Sequence, residues 1–496
     1  MIEKYYDGAI EQVAAGLGTV EKNHLLVRYS GQFSVENLND TKQLEKNEDI
    51  FVQVHEFETG EITCAYEPYL TMICDGFRRY MTGTFEEFME TCDVYYLHRP
   101  VLLGYFNQDN TGREEIILLD EVAYEQERML AALERMLCAI ADRHPVLFVL
   151  NRFQLASKST MQLTARFLKC ENCNIGLVLG VSDIQAMPEF LVPDWEMLYE
   201  TLDDGSKIYH IGNSGRKKEE TIDDEKYVDY GSEKVYRKLQ NMVEFLDFDQ
   251  AAYYLETIER KIKFDNLLVD DAARFRMWLL FVKVSILRQD IPKALEICED
   301  LEKIHLAGKE EECAYEQDYL IATAYMYQGK LKEALEMAGE TYRIAGKMSD
   351  DYRMFLSELL EAKIQMSGWY NIFFCAQDVK IKESLIQNLI RYNYRNHLAH
   401  VYIYAYDNKP EIVKKANQSE ELLIYFSRGI RIAKKLGNEY LINMAYQKNI
   451  MLSSTNGMYE ISLLYSVRTY EALKDKRSIQ AGRIYSGIAY NLCAIS

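Results

Sequence analysis

The spacing of apolar residues divides the chain into two parts. In the first 200 residues, short apolar runs alternate with stretches in which apolar residues recur every three or four positions. Unbroken runs such as VLFVL suit strands buried on both faces of a parallel sheet, and the longer spacing is typical of helices. The runs predict strands at residues 24–28, 49–54, 146–150 and 176–181, and the periodic stretches predict helices at 69–81, 121–143 and 160–169. The pattern favours an α/β domain over residues 1–200.

A polar stretch at residues 201–232 interrupts this pattern. Its segments LDDGSK, GNSGRKKEETIDDEK and DYGS are rich in Gly, Asp and Lys and lack periodic apolar positions. We interpret the stretch as a linker. Helical spacing then continues over residues 233–496 without a clear strand, which predicts an all-α region.

Four segments of the all-α region share one plan, which is a helix, a tight turn and a second helix. A small residue lies early in the second helix at Ala252, Ala294 and Ala334, which are 42 and 40 residues apart. This pattern resembles tetratricopeptide (TPR) repeats, although the usual period is about 34 residues. Helical pairs of this kind stack into a superhelix.

The array looks incomplete at its carboxyl end. Residues 420–435 and 459–474 keep the helical pattern but lose the small residue. The last segment, residues 478–496, looks like a first helix without its partner, whereas natural arrays end in a polar capping helix. We therefore expect further sequence beyond residue 496.

Composition narrows the possible roles of the chain. Of 496 residues, 57 are basic and 77 acidic, and the net charge of -20 disfavours binding to nucleic-acid phosphates. The amino-terminal segment lacks the basic and apolar regions of a signal peptide, and no apolar stretch is long enough to span a membrane. We expect a cytoplasmic protein that binds neither nucleic acid nor membranes directly.

Ten scattered cysteines indicate reduced thiols rather than a disulfide framework. Cys170 and Cys173 form a CxxC motif, but a zinc site needs two more ligands, and no second paired motif follows. His397 and His400 would share a helix face, a spacing that more often serves packing than metal binding. We therefore expect no metal site, and we interpret the CxxC as a loop between a helix and a strand.

The run VLFVL ends at Asn151 and Arg152, and a helix follows shortly afterwards. This is the layout of a Walker B segment, in which two acidic residues end the strand. The first acid holds Mg²⁺, usually through water, and the second polarises the attacking water. Asn and Arg suggest that the fold is kept while the chemistry is lost, and no catalytic residue is assigned.

An earlier stretch has the helix, strand and turn that normally carry a P-loop. Aligned with GxxxxGK[ST], the two glycines fall on Tyr29 and Ser34, the lysine on Val35 and the Ser or Thr on Glu36. The glycines let backbone N–H groups surround phosphate, the lysine neutralises it, and the hydroxyl binds Mg²⁺. Val35 cannot neutralise phosphate, and Glu36 would repel it.

These stretches, with a helix start after Pro68 and a strand that ends before Ser182 and Asp183, resemble the STAND class of AAA+-like signalling NTPases. The class includes large bacterial transcriptional activators with TPR-like sensor arrays. The resemblance implies an α/β P-loop-NTPase-like domain with a parallel sheet, followed by an all-α TPR-like superhelix. We expect the strand ending at Leu150 to lie beside the strand ending near Arg28 in one parallel sheet.

The favoured function is that of a non-catalytic regulator that senses a signal and contains a pseudo-NTPase domain. ATP hydrolysis and a bound cofactor are not expected. Two alternatives stay open: a nucleotide-binding STAND ATPase regulator that binds ATP or ADP through Arg28, Arg152 or Lys158, and a pure scaffold or adaptor. An unrelated α/β fold would leave Asn151 and Arg152 as ordinary strand-end residues. By resemblance, an output domain for DNA binding or signalling would lie beyond residue 496.

The tyrosine-rich segment RYNYRNHLAHVYIYAYDNKPE provides candidate partner contacts. Aromatic rings and arginines suit an acidic or peptide ligand on the concave face of the array. The candidates are Arg391, Tyr392, Tyr394, Arg395, Tyr402 and Tyr406. The alternative is a repeat core in which only the tyrosine hydroxyls reach solvent.

Overall fold

The chain forms two compact units in a computed structural model. One unit comprises Met1–Arg113 and Val122–Leu306, and the other comprises Glu114–Glu121 and Ala307–Ser496. The structure describes residues 2–17, 24–29, 49–58, 61–109, 112–113, 115–170, 173–182, 187–203, 207–211, 229–265, 267–366, 382–405, 419–455, 458–473, 488–489 and 491–495.

The first unit contains a five-stranded parallel sheet. Its strands are β1 (Leu25–Tyr29), β2 (Phe51–Glu56), β3 (Val146–Asn151), β4 (Ile175–Val181) and β5 (Lys207–Ile211). They lie in the order β2-β3-β4-β1-β5, and every neighbouring pair is parallel. The four predicted strands and the parallel α/β class are confirmed. β5 falls inside the range interpreted as a linker, where the sequence indicated no strand; the proposed domain boundaries stay a prediction.

The expectation that the strand ending at Leu150 lies beside the strand ending near Arg28 is wrong. β3 does not lie beside β1, because β4 lies between them and pairs with both. Leu25 aligns with Val178 of β4, and Val178 aligns with Val149 of β3. Because parallel strands are joined by long crossover connections rather than by tight turns, the order of strands along the chain does not determine their order in the sheet.

Helices cover both faces of the sheet. Before the repeats, the unit contains α1 (Ile2–Gly16), α2 (Tyr69–Tyr80), α3 (Phe85–Thr91), α4 (Arg99–Asn107), α5 (Val122–Ala141), α6 (Lys158–Lys169) and α7 (Val192–Asp203). Along β3, Leu147 and Val149 pack in one cluster with Ile10 of α1. Phe148 points to the other face, because side chains alternate along a strand, and its ring contacts Tyr69 of α2 edge to face. The VLFVL run is therefore buried on both sides.

Helices make up most of the remaining described residues of both units. The first unit continues with α8 (Glu233–Glu244), α9 (Phe248–Phe264), α10 (Asp271–Leu287) and α11 (Ile291–Leu301). The second contains α12 (Glu310–Gln328), α13 (Leu331–Lys347), α14 (Asp351–Met366), α15 (Glu383–Arg391), α16 (Arg395–Ala405), α17 (Ser419–Leu436), α18 (Glu439–Thr455) and α19 (Tyr459–Leu473). Ala252, Ala294 and Ala334 are buried in α9, α11 and α13, the second helices of their pairs. The predicted plan of a helix, a tight turn and a second helix is confirmed for these three pairs. The fourth predicted segment, residues 363–380, lies mostly outside the described residues.

The turns within these pairs share one backbone conformation. Leu246, Gln289 and Gly329 precede the second helices, and all three have positive φ angles of 67°, 63° and 82°. This left-handed conformation ends a helix tightly. Asp247 and Asp290 then cap the next helices by accepting hydrogen bonds from backbone amides.

Within the described residues, no helix is long and apolar enough to cross a membrane.

A buried histidine makes the stability of the first unit dependent on pH. His98 Nε2 lies 3.1 Å from Glu125 Oε2, and neither side chain is exposed. Burial lowers the pKa of His98 below its ordinary value of 6.5, and Glu125 only partly offsets this. Between the lowered pKa and pH 6.5, the unfolded chain binds a proton that the folded chain does not.

The stability that the unit owes to a neutral His98 is therefore fully present above pH 6.5. It is lost as the pH falls through the folded-state pKa of His98. Urea unfolding at a series of pH values should show a loss of up to about 1.4 kcal/mol per pH unit from this residue. His98→Gln should reduce that slope, and a variant of the exposed His305, His305→Gln, should keep it. An unchanged slope in His98→Gln would contradict the assignment.

Candidate functional site

The carboxyl ends of β1, β3 and β4 form the candidate site. In open parallel sheets, ligands bind beyond the carboxyl ends of the strands, at the point where the strand order reverses. The chain leaves β1 for β2 at the far edge and returns through β3 and β4 to the side of β1. The strand ends that the sequence singled out therefore lie at this edge.

A buried hydrogen bond joins the ends of β1 and β3. Tyr29 donates from its hydroxyl to Asn151 Oδ1 at 2.6 Å. Tyr29 is 3% exposed and Asn151 is fully buried. Burial raises the pKa of Tyr29 above its ordinary value, so the hydroxyl keeps the proton that it donates. The side chains at the degenerate P-loop and Walker B positions thus bond to each other across β4.

Arg152 lies next to an acidic side chain of the neighbouring strand. It follows β3 in a left-handed conformation, with φ 53° and ψ 40°. Its Nε lies 3.8 Å from Glu56 Oε1 at the end of β2, and about a fifth of each side chain is exposed. The guanidinium charge is therefore partly balanced within the site.

A buried glutamine connects the loop after β3 to the end of β4. Gln154 is 2% exposed. It donates from Nε2 to Ser182 Oγ at 2.9 Å and accepts from the backbone N–H of Ser182 at 3.4 Å. Together with Tyr29, Asn151, Arg152 and Glu56, the site offers hydroxyl, amide and guanidinium groups with one carboxylate.

The helix after this loop contacts the first repeat of the same unit. Ser159 of α6 donates its backbone N–H to Asp247 Oδ2 at 3.0 Å. Asp247 also accepts from the amide of Gln250 as the cap of α9. Burial raises the pKa of Asp247, although the hydrogen bonds from Ser159 oppose this. One buried carboxyl group thus links the start of α6 to a repeat helix.

Lys158 forms an ion pair with Asp249 of α9. Burial disfavours its charged form, but the hydrogen bond and charge of Asp249 outweigh burial and raise the pKa of Lys158. Arg28 lies with its guanidinium carbon 5.9 Å from the centre of the Tyr199 ring. Of the three residues considered for nucleotide binding, Arg152 is the one that lies within the strand-end cluster.

The remaining P-loop candidates, Ser34, Val35 and Glu36, lie outside the described residues, as does Asp183, which follows β4 in the sequence.

The structure divides the candidate partner residues into buried and exposed groups. Tyr394 is fully buried and Tyr402 is 7% exposed, so both rings belong to the repeat core. The Tyr394 hydroxyl shares a 2.7 Å hydrogen bond with that of Tyr352. Arg391 and Arg395 are exposed.

The other two candidate partner residues are Tyr392 and Tyr406. The half-buried Tyr392 ring stacks on Phe355, with ring centres 4.8 Å apart. Tyr406 lies outside the described residues. Partner binding by this segment stays a prediction.

Sequence reasoning missed a buried polar network in the second unit. Glu115 accepts from the backbone amides of Asn396 and His397 at 3.2 and 2.7 Å, and its Oε1 lies 2.6 Å from His397 Nδ1. It therefore caps the amino end of α16. Glu121 accepts from Asn438 Nδ2, which also donates to Asn396 Oδ1. The acids in GREEIILLDE were the only sequence signal, and their spacing gave no indication of a partner.

Comparisons with known proteins gave a match only among solved structures. No protein-family model and no curated protein matches the chain. A solved structure that it resembles is the Signal Transduction ATPase with Numerous Domains (STAND) protein with a tetratricopeptide repeat sensor from Pyrococcus horikoshii. The sequence identity is 10%, the TM-score is 0.43, and the match covers 95% of this chain and 84% of that chain.

Proposed function

We propose that the chain is a non-catalytic regulatory protein of the cytoplasm. Its helical pairs bind a protein, peptide or small-molecule signal, and its sheet acts as a conformational element without nucleotide turnover. An array of stacked helical pairs presents an extended surface to such ligands. The STAND neighbour with a TPR sensor has a corresponding combination of parts.

The hydrogen bond between Tyr29 and Asn151 is the main support for an inactive NTPase-like sheet. In an active site of this kind, the first strand end opens into a phosphate cradle and the other carries the acid for Mg²⁺. Here the Tyr29 hydroxyl and the Asn151 side-chain oxygen form a buried hydrogen bond with each other. Separating them without new partners would cost about 1–3 kcal/mol for each unsatisfied group. Binding of phosphate or Mg²⁺ at these two positions would have to offset this free-energy cost.

The contact between α6 and Asp247 supports a conformational role for the sheet. Ser157 caps α6 at the end of the loop after β3, and Ser159, two residues further on, donates its backbone N–H to Asp247. Asp247 caps the second helix of the first repeat. A change at the strand ends can therefore alter the first repeat through one buried side chain.

Titration of the purified chain with ATP and Mg²⁺ tests the loss of nucleotide chemistry. We expect no binding heat and no phosphate release above that of buffer. If ATP does bind, Arg152→Ala should abolish binding, because Arg152 is the cation in the strand-end cluster. Arg237→Ala is the matched control, since Arg237 is 60% exposed on α8. Binding lost in Arg152→Ala but kept in Arg237→Ala would overturn the proposal in favour of a nucleotide-gated regulator.

Thermal-shift screening with peptides and metabolites tests the sensing role. A ligand that binds only the folded chain raises its melting temperature. Arg391→Ala combined with Arg395→Ala should weaken binding of an acidic ligand. Arg343→Ala is the control, because Arg343 is 71% exposed on α13. If no ligand raises the melting temperature and no partner is recovered by cross-linking, the sensing role fails.

A further inference from the structure

Three cysteines from three elements converge on the amino side of the sheet. Cys138 lies on α5, Cys170 ends α6, and Cys173 lies just before β4. Their sulfur atoms all lie within 4.8 Å of one another. Among the residues that the structure describes, this is the one such group of three or more potential metal-ligating side chains. The sequence offered only the CxxC pair, and the fold adds Cys138.

We propose that Cys138, Cys170 and Cys173 bind Zn²⁺ through three thiolates, with a fourth position open to an exchangeable ligand. Zinc–sulfur bonds are about 2.3 Å long, so three sulfurs around a tetrahedral ion lie about 3.8 Å apart. The observed separations require at most about 1 Å of closure to reach that geometry. A side-chain rotation is enough for such a change.

The chemistry of the ligands selects the class of metal. Thiolates are soft ligands that favour Zn²⁺ or Cu⁺ and do not suit Mg²⁺ or Ca²⁺. Zn²⁺ fits best because it binds four ligands tetrahedrally and can take three from protein with water or another exchangeable ligand in the fourth position. Cys173 is 2% exposed, whereas Cys138 and Cys170 are partly exposed. An ion can therefore enter from the solvent side and contact the buried sulfur behind it.

The location determines what the ion does. The backbone N–H at the start of β3 (Val146) donates to the carbonyl of Asn174 at 3.0 Å, next to Cys173. The site thus lies at the amino edge of the sheet, opposite the strand-end cluster. An ion held by α5, α6 and the start of β4 ties these three elements together. It stabilises the sheet without touching Tyr29 or Asn151, so the inference is independent of the proposed function.

Metal titration of the full chain, reduced and metal-free, tests the site. We expect one Zn²⁺ per chain in competition with a chromophoric chelator, and a higher melting temperature once the ion is bound. Co²⁺ should bind in its place with thiolate charge-transfer absorption and a tetrahedral visible spectrum. Zn²⁺ should also protect all three cysteines from alkylation, which peptide mass mapping resolves in the unmutated protein.

Single serine variants assign the ligands. We expect each of three variants, Cys138→Ser, Cys170→Ser and Cys173→Ser, to weaken Zn²⁺ binding by more than about 100-fold. Loss of a group that only hydrogen-bonds to a metal ligand costs about 10- to 100-fold, and loss of a ligand should cost more. Cys298→Ser is the control, because Cys298 is buried in α11 away from the group.

Four results would overturn the proposal: no Zn²⁺ binding, Co²⁺ bound without thiolate absorption, affinity unchanged in Cys138→Ser, or binding of Cu⁺ alone. A disulfide among the three cysteines under reducing conditions would also overturn it. Because alkylation and Co²⁺ spectra are read on the unmutated chain, the test stands even if a variant fails to fold.

Discussion

Replacing Glu115 with alanine is expected to lower the free energy of unfolding of the second unit by about 2–6 kcal/mol, because two buried backbone amides would each lose their acceptor at a cost of about 1–3 kcal/mol. The Glu115 carboxylate is buried and accepts from two backbone amides of α16. It also lies 2.6 Å from Nδ1 of the fully buried His397. In the variant, these buried donors would lose their acceptor at once. Guanidinium unfolding followed by circular dichroism measures the loss, and amide exchange at Asn396 and His397 locates it.

Two further variants separate the cap from a general effect of losing a glutamate. Glu115→Gln keeps one acceptor oxygen and should cost less than Glu115→Ala. Glu333→Ala, at an exposed position of α13, should change stability by no more than about 0.5 kcal/mol. If Glu115→Ala behaved like Glu333→Ala, the capping role of Glu115 would be wrong.

Replacing Phe148 with alanine should destabilise the first unit by about 3–5 kcal/mol, as for other buried phenylalanines. Phe148 is fully buried in β3, and its ring centre lies 4.7 Å from that of Tyr69. Tyr69 in turn shares a 2.6 Å hydrogen bond with Thr164 of α6. The variant would leave a cavity between the sheet and α2 that this hydrogen bond prevents Tyr69 from filling. Urea unfolding monitored by aromatic fluorescence measures the change.

Two control variants test this prediction, one at an exposed phenylalanine and one that removes less volume from Phe148. Phe264→Ala should be nearly neutral, because the Phe264 side chain is 77% exposed at the end of α9. Phe148→Leu keeps much of the buried volume and should cost less than Phe148→Ala. A cost below about 1 kcal/mol for Phe148→Ala would mean that the core collapses around the gap.

The local pattern of the chain predicted most of its elements. Helices at 69–81 and 160–169 correspond to Tyr69–Tyr80 and Lys158–Lys169, and the VLFVL run is strand β3. The repeat plan could be recognised because small residues recur at Ala252, Ala294 and Ala334, which are buried in α9, α11 and α13. β5 was missed because its five residues follow a Gly- and Asp-rich stretch, which masks so short a strand.

The candidate site was predictable in its positions but not in its contacts. The motif alignment singled out Tyr29 and Asn151 as separate departures from two motifs. Only the folded sheet shows that they form one hydrogen bond across 122 residues of sequence. The same holds for Glu115 and His397, which lie 282 residues apart, because no local pattern records the partner of a buried carboxylate.

The sequence by itself determined the two architectural classes, parallel α/β and paired helices. It could do so because backbone hydrogen bonding in helices is local and burial on both faces demands an unbroken apolar run. Tertiary structure alone decided that β4 separates β1 from β3, that Glu115 caps α16, and that Cys138 joins the CxxC pair. These contacts depend on the long-range packing of elements, and their energies appear only when distant side chains share a dry environment.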